Sequence, residues 1–231
     1  MKIRIYILCY DEQSYMYALR DYGNKEWAKI VHIKTTVLFE NIMYDSWLLE
    51  NYEDWKDFDY IGTISWKAGY KIQLPNIDKL SIFLDKNKFD VIPFYFIDAN
   101  LINRTTYYHP KFRYLWIKIL TKLGYNETQI TKNIKAFYCN YWLTTPKLML
   151  EYIEFFKKVK ECMDTYQEIQ EDIWSNSKHR SSTLTSPQIC LATFGKPYYP
   201  YHPFIFERIP CFYFDLNATI LLTPNYKELY N

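Results

Sequence analysis

The chain has 231 residues, enough for one sizeable hydrophobic core and little room for a second full domain. Hydrophobic residues make up 49% and charged ones 23%, with a net charge of +2; that balance argues against a protein gripping nucleic acid by bulk charge. Five cysteines, odd in number and far apart, form neither a Cys-x-x-Cys pair nor a disulfide framework, so a reducing compartment is expected. No apolar run reaches the length of a bilayer span. The opening MKIRIYILCYDE lacks a small-residue cleavage site and reads as a first strand, not a signal peptide. The expected location is the cytoplasm. Aromatic residues reach 20%, and much of that area must be core.

In chain order, Ile3 to Cys9 is a compact β-rich run and reads as a buried strand. Tyr15 to Asp21 reads as a short helix closed by Gly23, and Ala28 to Lys34 as a second strand. Phe39, Ile42, Met43, Trp47 and Leu48 share one helical face. Tyr60 to Ser65 is a third strand, in which Gly62 permits a close backbone approach. A helix capped by Asn76 follows, then a fourth strand over Asp90 to Ile97, with Pro93 at an edge or bulged position.

Strands alternating with helices predict an α/β domain, a mixed but mostly parallel sheet flanked by helices. Beyond it, Lys111 to Leu123 is an amphipathic helix stopped by Gly124, and FYCNYWLT is another strand. Thr145 and Pro146 are an N-cap and first-turn pair opening a long helix through Met163. Ser175 to Ser186 is a polar loop, after which HPFIFERIPCFYF returns to apolar character.

Ligands of open α/β sheets bind outside the carboxyl ends of the strands, and this rule sorts the candidate residues. Asp57-Phe58-Asp59 has the look of a metal-holding Asp-x-Asp, but it precedes the third strand and so belongs to the amino rim. Trp66 and Lys67 leave the carboxyl end of that strand: a stacking face and a phosphate-binding cation, or a core Trp beside a surface Lys. Tyr10 and Asp11 leave the first strand, as a base-and-ribose contact or a plain turn. Asp98 and Asn100 leave the fourth with two oxygens suited to a hard divalent cation. His179 and Arg180 sit in the polar loop, able to close over a diphosphate or simply solvated. Glu207, in an aromatic segment, is either paired with a cation such as Arg208 or held as a base; His202 is the other candidate base.

The segments KIRIYILCYDE, YDSWLLENYEDWKDFDYIGTISWK, FDVIPFYFIDANL, FYCNYWLTTPKLMLEYIEFF and HPFIFERIPCFYF, in that order, resemble a glycosyltransferase of the GT-A type. The chain is similar to those encoded by large algal (chlorella-type) viruses and, more distantly, to bacterial capsule-type transferases. The resemblance implies one GT-A-like domain over 1–231, with a nucleotide-sugar part in 1–105 and an acceptor-side part in 106–231. It implies transfer of a sugar from a nucleoside diphosphate sugar, such as a UDP-sugar, to an acceptor hydroxyl on a glycan, in the host cytoplasm if viral. Its carry-over puts Tyr10 and Asp11 on the nucleoside, Trp66 and Lys67 at the sugar-diphosphate, Mn²⁺ or Mg²⁺ on Asp98 and Asn100, and the base at Glu207. A clean Asp-x-Asp is missing at the carboxyl rim, and Pro210 interrupts the expected terminal helix. Two rivals remain: a non-catalytic glycan- or protein-binding module on a degenerate transferase fold, and a single-strand nucleic-acid binder, which the near-neutral charge disfavours.

Overall fold

A computed structural model describes residues 1–33, 43–178, 186–221 and 226–230. Its centre is a five-stranded sheet in the order β2-β1-β3-β7-β4, made of β1 (Ile3–Cys9), β2 (Ala28–His32), β3 (Tyr60–Ser65), β4 (Val91–Pro93) and β7 (Trp142–Thr144). The strands β2, β1 and β3 pair in parallel, and β7 runs antiparallel between β3 and β4. Four of the five strands therefore point the same way, as the alternating pattern implied. A separate two-stranded ribbon joins β5 (Phe96–Asn100) to β6 (Lys135–Phe137).

Why these residues fold so is visible in β1. Ile3, Ile5, Ile7 and Cys9 face one core and Tyr6 and Leu8 the other, the period of two of a strand covered on both faces. The first core is closed by α1 (Glu12–Tyr22) and α3 (Ile77–Lys86), which follows the short α2 (Ala68–Lys71). The helix α1 begins with a reciprocal cap between Asp11 and Ser14 and ends at Gly23; α3 is capped by Asn76. The second core is closed by α5 (Phe112–Lys122), α7 (Pro146–Thr165) and α10 (His202–Asn217). The helices α4 (Leu101–Tyr108), α6 (Glu127–Thr131), α8 (Gln167–Ile173) and α9 (Pro187–Phe194) are the other α-helices longer than three residues among the described residues. The helix α5 stops at Gly124, whose φ of +89° suits a residue without Cβ, and α7 opens on Thr145 and Pro146. The expected helical face holding Phe39 and Ile42 falls outside the described residues; Met43 to Glu50 is helical.

Three expectations need correction. The run Asp90 to Ile97 is not one strand: β4 ends at Pro93, which has no N–H to continue the ladder, and β5 starts at Phe96 in the other sheet. FYCNYWLT likewise breaks, because Cys139 and Asn140 both adopt left-handed backbone, φ 67° and 54°, between β6 and β7. Pro210 does not end the terminal helix: α10 runs through it from His202 to Asn217. The missing N–H removes the helix bond to the Phe206 carbonyl, and the burial of α10 on nearly every side offsets that loss.

Candidate functional site

The parallel strands β1 and β3 end beside the start of β7, and a cleft of about 350 Å³ opens there. Leu8 and Ser65 bring the carboxyl ends of β1 and β3 to it, Asn140 and Tyr141 enter β7, and Phe204 and Glu207 come from α10. This is the rim where open α/β sheets place ligands, since side chains from several strand ends converge there.

The floor is the Cys139–Asn140 turn. Two successive non-glycine residues in the left-handed region are costly unless their surroundings hold them. Three contacts do so. Glu207 Oε1 accepts the Cys139 N–H at 2.7 Å, the Thr63 hydroxyl donates to the Asn140 carbonyl at 3.2 Å, and the Tyr44 hydroxyl meets Thr63 Oγ1 at 3.2 Å. The second Glu207 oxygen pairs with Arg208. Both carboxylate oxygens are thus engaged, and a half-buried acidic group gains its partners.

Above the floor, the Ser65 and Tyr141 hydroxyls are hydrogen-bonded to each other. Burial raises the Tyr141 hydroxyl pKa, and the Ser65 bond only partly reverses this, so Tyr141 stays a neutral donor near pH 7. Lys71 Nζ lies 5.8 Å from the Tyr141 ring centre. Among the described lining residues Lys71 is the cation and Glu207 the anion. Chemically, the cleft offers hydroxyl donors, one positive charge for an anionic ligand, and aromatic walls.

The residues singled out from the sequence fall in several places. Glu207 lines the cleft. Tyr10 is near enough to influence Tyr141 electrostatically. Asp11 caps α1 by accepting the Ser14 N–H at 2.7 Å, and that bond, more than the nearby His32 and Lys67, holds its carboxyl below the usual range. Trp66 and Lys67 sit on the α1 side of the same rim. Trp66 stacks on Tyr17 at 5.2 Å, Lys67 lies 4.7 Å over the Trp66 ring, and with Tyr70 they form a separate hollow of about 310 Å³.

Asp98 and Asn100 lie on the ribbon strand β5 and do not line the cleft. They offer a hard cation oxygens of the right kind, but Asn100 already accepts the Asn103 N–H at 2.9 Å and donates to Asn133 at 2.9 Å. Among the described residues no group of three His, Cys, Asp or Glu is placed to hold a metal. His202 is buried against Trp174, with ring centres 4.3 Å apart, and does not line the cleft. His179 and Arg180 lie outside the described residues. Asp57 and Asp59 are on the amino rim, exposed, and Asp59 accepts the Lys2 N–H at 2.6 Å.

Sequence reasoning missed Lys71, Tyr141, Thr63 and the Cys139–Asn140 turn. Only the turn left a trace: a Cys-Asn pair inside an aromatic strand-like run, Asn being among the residues that tolerate left-handed backbone. Among the described residues no helix is long and apolar enough to cross a membrane. Comparison of the chain with protein-family models, with curated proteins and with solved structures finds no match.

Proposed function

We propose that the chain is a glycosyltransferase moving a sugar from a nucleoside diphosphate sugar to an acceptor hydroxyl on a glycan. The observation supporting this reading is the position of the cleft, outside the carboxyl ends of β1 and β3 with the antiparallel β7 inserted beside them. In this reading Tyr10 stacks on the base and Asp11, fixed by its cap, faces the ribose. Lys71 takes the charge that develops on the departing diphosphate, a task for a preorganised cation in a partly enclosed site. The Ser65 and Tyr141 hydroxyls orient the sugar while its anomeric carbon gains oxocarbenium character. Trp66 and Lys67 border the donor from the α1 side.

Glu207 is the carboxylate at the cleft and the candidate base for the acceptor hydroxyl. Each carboxylate oxygen keeps a second lone pair, so Glu207 can take the proton while still holding the Cys139 N–H, and Arg208 is the partner not needed for the floor. A divalent cation, Mn²⁺ or Mg²⁺, on Asp98 and Asn100 would supply charge neutralisation to a diphosphate. These residues stand outside the cleft, so in this reading the charge falls to Lys71 and no step is routed through the metal.

The test is a thermal-shift screen of UDP-, GDP- and dTDP-sugars with and without Mn²⁺, followed by turnover of the sugar that shifts. A ligand at a hundredfold its dissociation constant stabilises by about 2.7 kcal/mol, which is easily seen. Glu207→Gln keeps an acceptor for the Cys139 N–H; it is expected to preserve the shift and to lower turnover by about 10²–10⁴-fold. Asp98→Ala is expected to abolish the Mn²⁺ dependence, and retention of that dependence would reject Asp98 as a ligand. The engagement of both Glu207 oxygens favours one rival, a non-catalytic glycan-binding module. That rival predicts no shift with any sugar nucleotide.

A further inference from the structure

Behind Glu207 lies a second hollow of about 190 Å³, and Glu207 belongs to the walls of both. Its sides are the rings of Tyr95, Tyr108 and Tyr138, and two guanidinium groups reach it from separate helices, Arg104 from α4 and Arg208 from α10. Arg208 lies 4.8 Å over the Tyr138 ring and is paired with Glu207. Arg104 lies 5.8 Å from the Tyr108 ring centre and makes no ion pair with any described residue. Burial raises the Tyr138 hydroxyl pKa, while the charges of Arg208 and Arg104 both act to lower it. Two guanidiniums against one carboxylate leave a single positive charge in an aromatic-walled hollow.

We propose that this hollow binds a sugar ring bearing one carboxylate, a uronic-acid type of residue, with Arg104 as the partner of the carboxylate. A guanidinium presents a planar pair of N–H donors that fits a carboxylate in two-point fashion. A doubly charged phosphate exceeds the single positive charge that Arg104 and Arg208 leave over Glu207. The tyrosine rings offer flat apolar faces to the C–H side of a pyranose and hydroxyls to its rim. As a deepening of the transferase reading, on which this last step rests, the hollow is an acceptor subsite that selects acidic glycans next to the reacting cleft.

The experiment titrates the wild-type chain and Arg104→Gln with D-glucuronate, D-glucose and inorganic phosphate, following chemical shifts or melting temperature. Arg104 is exposed on α4, so its replacement leaves the core intact. Expected are saturable binding of glucuronate, glucose and phosphate at least about tenfold weaker, and a loss of about tenfold or more for glucuronate in Arg104→Gln. UDP added to the same variant tests the cleft separately and is expected to shift it as it shifts wild type. Equal binding of glucose, a preference for phosphate, unchanged glucuronate affinity in Arg104→Gln, or no glucuronate binding at millimolar concentration would each overturn the proposal. A wild-type chain that binds glucuronate but never UDP keeps the subsite and sinks the transferase.

Discussion

His202 stands at the first position of α10, buried, with Nδ1 unpartnered among the described residues. Desolvation lowers its pKa from 6.5 to about 4, because an imidazolium there would lose its water without gaining an acceptor. The folded pKa is thus below the unfolded one. The unfolded chain takes up the proton first, so stability is fully present above pH 6.5 and is lost as pH falls towards 4. The size follows from the shift, about 3 kcal/mol across that window. Urea unfolding from pH 7.5 to 4 is expected to show this loss for wild type and a flatter profile for His202→Phe, their difference removing the common titration of carboxylates. Parallel profiles would mean that His202 is hydrated.

At the scale of elements, the join between β3 and β7 decides whether the cleft has a floor. A Cβ on Gly62 would lie 2.1 Å from the Trp142 carbonyl oxygen and 2.7 Å from Leu143 Cδ2. Backbone cannot yield as a flexible side-chain tip does. Gly62→Ala is therefore expected to destabilise by about 3 kcal/mol or more, measured by denaturant unfolding; a cost below 1 kcal/mol would show that β7 can move away. This close approach was legible in the sequence, because a lone Gly inside a β-rich run has few other uses. So were the caps at Asn76 and Thr145, whose signals are local. The breaks inside Asp90–Ile97 and FYCNYWLT were not legible. A run of aromatic and β-branched residues looks the same whether it forms one strand or two short ones in different sheets, since periodicity reports burial and not sheet membership. Lys71 was missed for a related reason: its place at the cleft follows from the turn of α2, not from any spacing around it.

For the whole molecule, strand direction separates two rims, and the cleft opens at the rim where β1 and β3 end. Asp57 and Asp59 lie opposite the cleft, and the Asp59 carboxylate ties down the entry to β1 through Lys2. The pair Asp57→Asn and Asp59→Asn is expected to leave any sugar-nucleotide shift unchanged and to lower stability by no more than about 1 kcal/mol, as for an exposed hydrogen bond. Loss of the shift in that variant would move the site to the other rim. Rim assignment was legible because it needed only chain direction; the partners of Glu207 were not, because they depend on a turn the sequence hides.

The order β2-β1-β3-β7-β4 also fixes when the protein can become itself. As the chain leaves the ribosome, β1, α1, β2 and β3 can pair locally, but the far edge of β3 stays bare until Thr144 arrives opposite Ile61. Strand β4 has no neighbour on that side until the same moment. Residues 1–105 are therefore not a unit that could be excised and studied alone, and long-range closure of this kind is slow. During that wait an open strand edge is offered to any other nascent chain, so yield should depend on synthesis rate and chaperone supply more than on final stability.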